Sequence, residues 1–236
     1  MAPLTRGRAD EDRTPNALIA EYYAQRAGAG LIITEATAID PMGYGWVQAP
    51  ALYNDKQEEG WKLVTKAVHD KGGKIVLQMW HMGRVSHPDF LDGQKPVAPS
   101  AIRAEGETHT ADGKKSYVEP HALSKDEIEE LIQAYADSAK RALRAGFDGV
   151  EIHAANGYLL DQFLRDGTNQ RDDEYGGSVD NRTRLVLEVV DAVIEAIGAG
   201  LTGIRISPTN PFNDISDSDP VSTFVHLAKK LNAYKL

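Results

Sequence analysis

The chain has 236 residues, 26 Lys and Arg against 35 Asp and Glu, a formal net charge of −9, 42% hydrophobic residues and no cysteine. An acidic surface repels phosphate backbones and anionic headgroups, which sets aside nucleic acid and membrane surfaces as broad partners. Without cysteine there is no disulfide, no thiolate chemistry and no Cys-based metal centre, and with neither a signal-peptide core nor an apolar run of about 18 residues the reading is a cytoplasmic enzyme.

In chain order, Met1-Ala-Pro-Leu-Thr5 is a short run leading into a polar loop, and Thr14-Pro15 predicts an N-cap with proline at the first position of a helix reaching Ala27. Gly28 and Gly30 stop that helix before Leu31-Ile-Ile-Thr-Glu35, which is rich in β-branched residues and reads as a strand. Asp55-Lys-Gln-Glu58 resembles a capping box and opens a helix with Trp61, Val64, Ala67 and Val68 on one face; the strand Lys74-Ile-Val-Leu-Gln78 follows Gly72-Gly73. Ser124-Lys-Asp-Glu127 is a sharper capping box, with Ile128, Leu131, Ile132, Tyr135, Ala139, Ala142 and Leu143 repeating at helical spacing until Gly146. The strand Gly149-Val-Glu-Ile-His153, a helix from about Asn181 to Ile197 with Asp180 as its cap, the strand Thr202-Gly-Ile-Arg-Ile206 and a helix begun by Asp219-Pro220 complete five consecutive strand-helix units.

Strands separated by such helices are parallel and covered by them, which makes the fold α/β. Thr5, Glu35, Gln78, His153 and Arg205 sit at or beside the last positions of their strands, and at period two they share a face with Pro3, Ile33, Val76, Glu151 and Gly203. Ile32, Ile75, Leu77, Val150, Ile152, Ile204 and Ile206 make the opposite face apolar. Polar side chains gathered at several strand ends suit a (β/α)8 barrel, whose site is built there from many strands at once; no G-x-G-x-x-G follows the first strand, as an open dinucleotide-binding sheet would require.

The connection from Trp80 to Leu123, about 44 residues with Pro88, Pro96, Pro99 and Pro120, reads as a lid or binding element. It opens with Trp80-His-Met-Gly-Arg84, an aromatic, an imidazole and a guanidinium above a strand end. His153-Ala-Ala-Asn-Gly-Tyr158 sets a ring, an amide and a phenol on one turn, a cluster suited to polarise a carbonyl and deliver a proton. Taken singly, His153 is as easily a structural histidine and Tyr158 a core aromatic; Arg205 is equally an ion-pair partner for Glu151 or Glu35 and a ligand for an anion or ring oxygen. His81 and His87 with Glu35 and Glu151 make a weak metal reading that lacks a tight ligand pair.

Met1-Ala-Pro-Leu-Thr-Arg6, the run from Leu77 to Arg84, the run from Glu151 to Leu164, Asn169-Gln-Arg171, the run from Glu174 to Arg182 and Arg205-Ile-Ser-Pro208 together resemble the old yellow enzyme family, in the same order and over nearly the whole chain. The resemblance implies a flavin mononucleotide (FMN) enzyme on a (β/α)8 barrel that uses NADPH or NADH to reduce the carbon-carbon double bond of α,β-unsaturated carbonyl compounds. Carried over by position, Pro3, Thr5, Ala36, Gln78 and Arg205 would border the flavin, with Arg205 beside its N1 and O2 region. His153 and Asn156 would bind the substrate carbonyl oxygen, Tyr158 would protonate the α-carbon and Trp80 would wall the pocket.

A closed barrel needs eight strands and about 250 residues. Residues 1–236 therefore read as one partial barrel domain, with a loop insertion at about 80–123 and about five of eight units present. Met1 falls inside the family's first strand, and Leu231-Asn-Ala-Tyr-Lys-Leu236 stops where a sixth would begin. The loops after the seventh and eighth strands, where the family's phosphate ligands lie, are not in the chain. Such a fragment exposes unpaired edges and implies self-association or a partner chain, leaving a catalytically silent assembly or binding module as the alternative to an enzyme.

Overall fold

The computed structural model describes residues 1–234. Its principal sheet has four parallel strands in the order β1 (Ile32–Ala38), β2 (Ile75–Trp80), β7 (Val150–Ala154) and β8 (Thr202–Ile206). The crossover helices are α2 (Asp55–His69), α3 (Lys125–Arg144) and α5 (Val179–Ile197), while α1 (Ala17–Ala24) precedes β1 and α6 (Pro220–Leu231) follows β8. This is an incomplete (β/α)8 barrel, as the spacing of strands and helices predicts.

The first expected unit differs. Residues 1–5 are not a sheet strand; they lie along the free edge of β1, where Ile33 N–H donates to Met1 C=O at 3.1 Å and the terminal amine donates to Leu31 C=O at 2.6 Å. Pro3 has no N–H to continue a ladder, which limits pairing at that edge. Lys235 and Leu236, at the expected approach to a sixth strand, lie outside the described residues.

Several helix starts also move, always to the residue whose side chain reaches an orphan N–H. Asn16 rather than Thr14 caps α1, accepting from Ile19 N–H; Asn54 caps α2, accepting from Gln57 N–H; Ser178 rather than Asp180 caps α5, accepting from Asn181 N–H. Ser124 and Glu127 form the expected reciprocal box at α3, and Asp219 caps α6 ahead of Pro220. The connection after β2 carries structure of its own: β3 (Val97–Ala98) pairs in parallel with β6 (His121–Ala122), and β4 (Glu107–Thr110) forms an antiparallel hairpin with β5 (Gly113–Ser116). One short helix has no periodic signal in the sequence, α4 (Leu159–Leu164), whose residues are all buried.

The core lies between the sheet and its helices. Ile32, Ile75, Leu77, Val150 and Ile152 are buried against residues such as Trp61, Val64, Tyr135 and Val189, whereas Ile204 and Ile206 are only partly covered at the β8 edge. The Glu58 carboxylate on α2 receives Arg141 at 3.0 Å and Arg144 at 2.8 Å from α3, fixing the relative positions of the two helices.

Alternation along β1 is broken by a register shift between Ile33 and Ala36. A bulge inserts one residue and exchanges the faces beyond it. Glu35 therefore leaves the face that strict period two gave it and points to α1, where its backbone N–H donates to the Tyr23 hydroxyl at 2.6 Å and its buried carboxylate accepts from Arg6 N–H at 2.8 Å and Gly7 N–H at 3.2 Å. Ala36 takes the place opposite Gln78. Thr34 Oγ1 fills the bulge by accepting Gln78 N–H at 2.9 Å.

Replacing Ser124 by Ala removes one partner of the reciprocal cap on α3. We expect a loss of about 1 kcal/mol in urea unfolding of the chain, with Ser124→Thr close to wild type; an unchanged midpoint for Ser124→Ala would show that the box contributes nothing to stability.

Candidate active site

The strand ends open onto a cleft of about 230 Å³ lined by Ala2, Pro3, Leu4, Thr5, Ala36, Gln78, His153, Asn156, Tyr158 and Arg205. Eight of the nine side chains singled out from the sequence thus face one another. Cross-strand register explains the convergence: Ala36 pairs with Gln78, Gln78 with Glu151, and His153 with Arg205, so consecutive inward positions of four strands stack into adjoining layers. Pro3 and Thr5 arrive from outside the sheet, held in place because the Glu35 carboxylate grips the next two backbone N–H groups.

A buried carboxylate organises the floor. Glu151 accepts from Gln78 Nε2 at 2.7 Å and from the Arg205 guanidinium through Nε at 2.8 Å and a second nitrogen at 3.1 Å. The two readings of Arg205 are therefore compatible: it is the ion-pair partner of Glu151, and its side chain, about a third exposed, still lines the cleft. Glu35, the other partner considered for Arg205, is occupied on the far side of the sheet.

His153 is buried, and its Nδ1 has no hydrogen-bond partner. Burial, with the Arg205 guanidinium beside it, holds the imidazole down at about 3, so it is neutral at physiological pH. Its ring lies 5.2 Å from that of Tyr158, which in turn meets Trp80 edge-on at 5.3 Å. Burial pushes the Tyr158 phenol up, opposed by the adjacent Asn213 side chain. Trp80, expected to wall the pocket, is buried and packs edge-on against Tyr158, which lines the cleft.

Asn156 adopts the left-handed backbone conformation at φ 59°, followed by Gly157 at φ 74°. A Cβ on Gly157 would lie 2.5 Å from Phe212 C=O, so this tight turn needs glycine where it presses on the loop after β8. That loop contributes Ser207, from the motif at Arg205, and two residues that the sequence motifs do not single out, Asn210 and Asn213. Ser207 Oγ accepts from Asn156 N–H at 2.7 Å, Asn210 Nδ2 donates to Asn156 Oδ1 at 2.7 Å, and Asn213 Nδ2 donates to Asn156 C=O at 2.8 Å. Their signal is an asparagine-rich run after a strand end, which by itself reads as turn chemistry.

His81 and Arg84, expected above the same strand end, are used elsewhere. Arg84 is buried and donates to the carbonyls of Ile102 and Asp214, tying the long connection to the loop after β8. His81 faces a second cavity of about 700 Å³, outside the strand ends, with Asp40, Lys95, His121 and Glu127. That cavity is larger, but it gathers none of the layered residues of the sheet, whereas the smaller cleft gathers them from every principal strand.

The donor set fits the edge of a flat heteroaromatic ring: the Thr5 hydroxyl, the Gln78 and Asn156 amides, the Arg205 guanidinium and the His153 imidazole line one cleft, and His153 Nδ1 is buried without a partner. It does not extend to a phosphate, because Arg205 is the one cationic side chain in the lining and is already paired with Glu151.

Comparison with known proteins agrees with this architecture. The chain is 48% identical over 237 residues to flavin oxidoreductase hxnT of Emericella nidulans, covering 98% of the chain and 61% of the relative. It is 48% identical over 238 residues to a probable flavin mononucleotide-dependent alkene reductase of Leishmania infantum, covering 98% and 65%. Among solved structures, the old yellow enzyme homologue from Zymomonas mobilis superposes with a TM-score of 0.98 at 52% identity, over 100% of this chain and 66% of that one. Morphinone reductase in complex with tetrahydroNAD gives 0.96 at 50% identity, over 100% and 67%. The chain thus spans a little under two thirds of the length of the curated relatives it matches. With residues 1–235 matching its sequence pattern, the chain belongs to the NADH:flavin oxidoreductase / NADH oxidase family.

Proposed function

We propose that this chain carries the ring-binding and substrate-binding portion of an FMN-dependent ene-reductase, which reduces the carbon-carbon double bond of an α,β-unsaturated carbonyl compound with NADPH or NADH. The observation that carries the reading is the convergence of Pro3, Thr5, Ala36, Gln78, Arg205, His153, Asn156 and Tyr158 on a single cleft. The Leishmania alkene reductase and the morphinone reductase complex with a nicotinamide analogue support the assignment of flavin, nicotinamide and small-molecule alkene.

When bound, FMN would supply the two-electron redox chemistry between the nicotinamide and the substrate. Thr5 and Gln78 would hold the polar edge of its ring, and Arg205 would set a positive charge beside it. Glu151 keeps the Arg205 and Gln78 donors aimed, since it hydrogen-bonds both. Pro3 and Ala36 give the ring an apolar border. His153 and Asn156 hold the carbonyl oxygen of the substrate. Because negative charge grows on that oxygen as the β-carbon is reduced, two neutral donors aimed there stabilise the transition state more than the ground state. A neutral His153 keeps one ring N–H to donate and adds no charge to the buried site. Tyr158 then delivers a proton to the α-carbon, its raised pKa keeping the phenol protonated at neutral pH.

The purified chain should acquire bound yellow absorbance on addition of FMN and lose it under anaerobic NADPH; a colourless chain with no flavin affinity would overturn the reading in favour of a silent assembly or binding module. In the flavin-loaded chain, Tyr158→Phe should slow enone reduction by about 10²-fold while sparing flavin reduction by NADPH, and equal slowing of both steps would remove Tyr158 from proton delivery. His153→Ala should weaken binding of a phenol about tenfold, as expected for one lost hydrogen bond at a buried site; unchanged binding would take it out of the pocket. Since the imidazole titrates at about 3, affinity for a neutral carbonyl ligand should stay flat from about pH 5 to 8. A step near the ordinary histidine value would show that His153 titrates in that range.

A further inference from the structure

We infer that Asn210 is a positioning residue that decides which end of the Asn156 amide faces the cleft. The inference deepens the carbonyl-binding role proposed for Asn156 and rests on it. Its basis is a chain of hydrogen bonds whose direction is set at one end. A backbone N–H can only donate, and that of Phe212 meets Asn210 Oδ1 at 3.2 Å. The amide nitrogen of Asn210 is therefore the end turned to Asn156, and it donates to Asn156 Oδ1 at 2.7 Å. With its oxygen engaged there, Asn156 has its NH₂ left for the cleft that it lines.

The same loop clamps the Asn156 backbone through Ser207 and Asn213, holding it at φ 59°. An asparagine without such a partner offers its oxygen as readily as its nitrogen, and an oxygen facing a carbonyl that gains negative charge is repulsive. Asn210 thus converts an ambiguous side chain into a dedicated donor, acting through Asn156 and not on the substrate.

Asn210→Asp keeps an acceptor for Phe212 N–H, so the turn can survive, but sets a carboxylate oxygen against Asn156 Oδ1. The Asn156 amide then turns over to donate to that carboxylate and shows its carbonyl to the ligand. In the flavin-loaded chain, affinity for 4-hydroxybenzaldehyde, read from the perturbation of flavin absorbance, should fall about tenfold, the size of one hydrogen bond. In an Asn156→Gly background, where glycine takes the left-handed conformation without strain, Asn210→Asp should cost nothing further. An equal loss in both backgrounds would overturn the proposal, because the carboxylate would then act by charge alone. Exchange of the side-chain amide protons, followed by ¹H–¹⁵N spectra of the flavin-free wild-type chain, tests the relay independently of the proposed activity. A protected Asn210 pair with a freely exchanging Asn156 pair supports it, and the reverse pattern overturns it even in a chain that never binds flavin.

Discussion

The cleft depends on one buried carboxylate. Glu151 stands on the inward face of the third principal strand, and an unpaired charge in that position would cost several kcal/mol. It is satisfied by Gln78 from one neighbouring strand and Arg205 from the other. The same bonds that neutralise it also straighten and aim two side chains that line the cleft. An ion pair and a binding element are here one arrangement, and it is possible only because parallel register puts Gln78, Glu151, His153 and Arg205 in adjoining layers.

A second carboxylate does the corresponding work at the edge. Glu35 is turned out of the cleft by the bulge in β1, and from there it gathers the N–H groups of Arg6 and Gly7. Burial raises its pKa, with the two backbone donors opposing the shift. The consequence for function is indirect. By holding the segment after Thr5, it brings Pro3 and Thr5 to the cleft without a ladder of sheet hydrogen bonds. The Asn156 end of the cleft is organised differently, by a loop: Ser207, Asn210 and Asn213 all reach Asn156, while Arg84 joins that loop to the long connection after β2.

The cleft gathers hydroxyl, amide, guanidinium and imidazole side chains, and its lining holds no cationic side chain beyond the paired Arg205. Relatives at this level of identity are about half as long again as the chain. Affinity for the whole cofactor is therefore a separate quantity from the geometry of the ring site. Large apolar side chains are exposed at both ends of the chain, Leu4 and Leu18 before β1 and Phe212, Val221 and Val225 after β8. Among the described residues, no helix is long and apolar enough to cross a membrane.

Periodicity and motif spacing by themselves determined the parallel α/β architecture, its four principal strands, the capping box at Ser124 and seven of the side chains that meet in the cleft, Ala36 entering only through the family resemblance. Those are properties of local spacing: alternation along a strand selects a face, and a strand end selects a mouth. Local pattern misleads wherever a long-range contact outvotes it. The bulge in β1 exchanged Glu35 for Ala36, and a neighbouring asparagine and a serine took the cap positions expected at Thr14 and Asp180. His81 and Arg84 were committed to other surroundings. Only the tertiary structure could bring Asn210 to Asn156, fifty-four positions apart. A side-chain hydrogen bond closing so long a loop leaves no period in the sequence; it exists only once the β7 and β8 strands lie side by side.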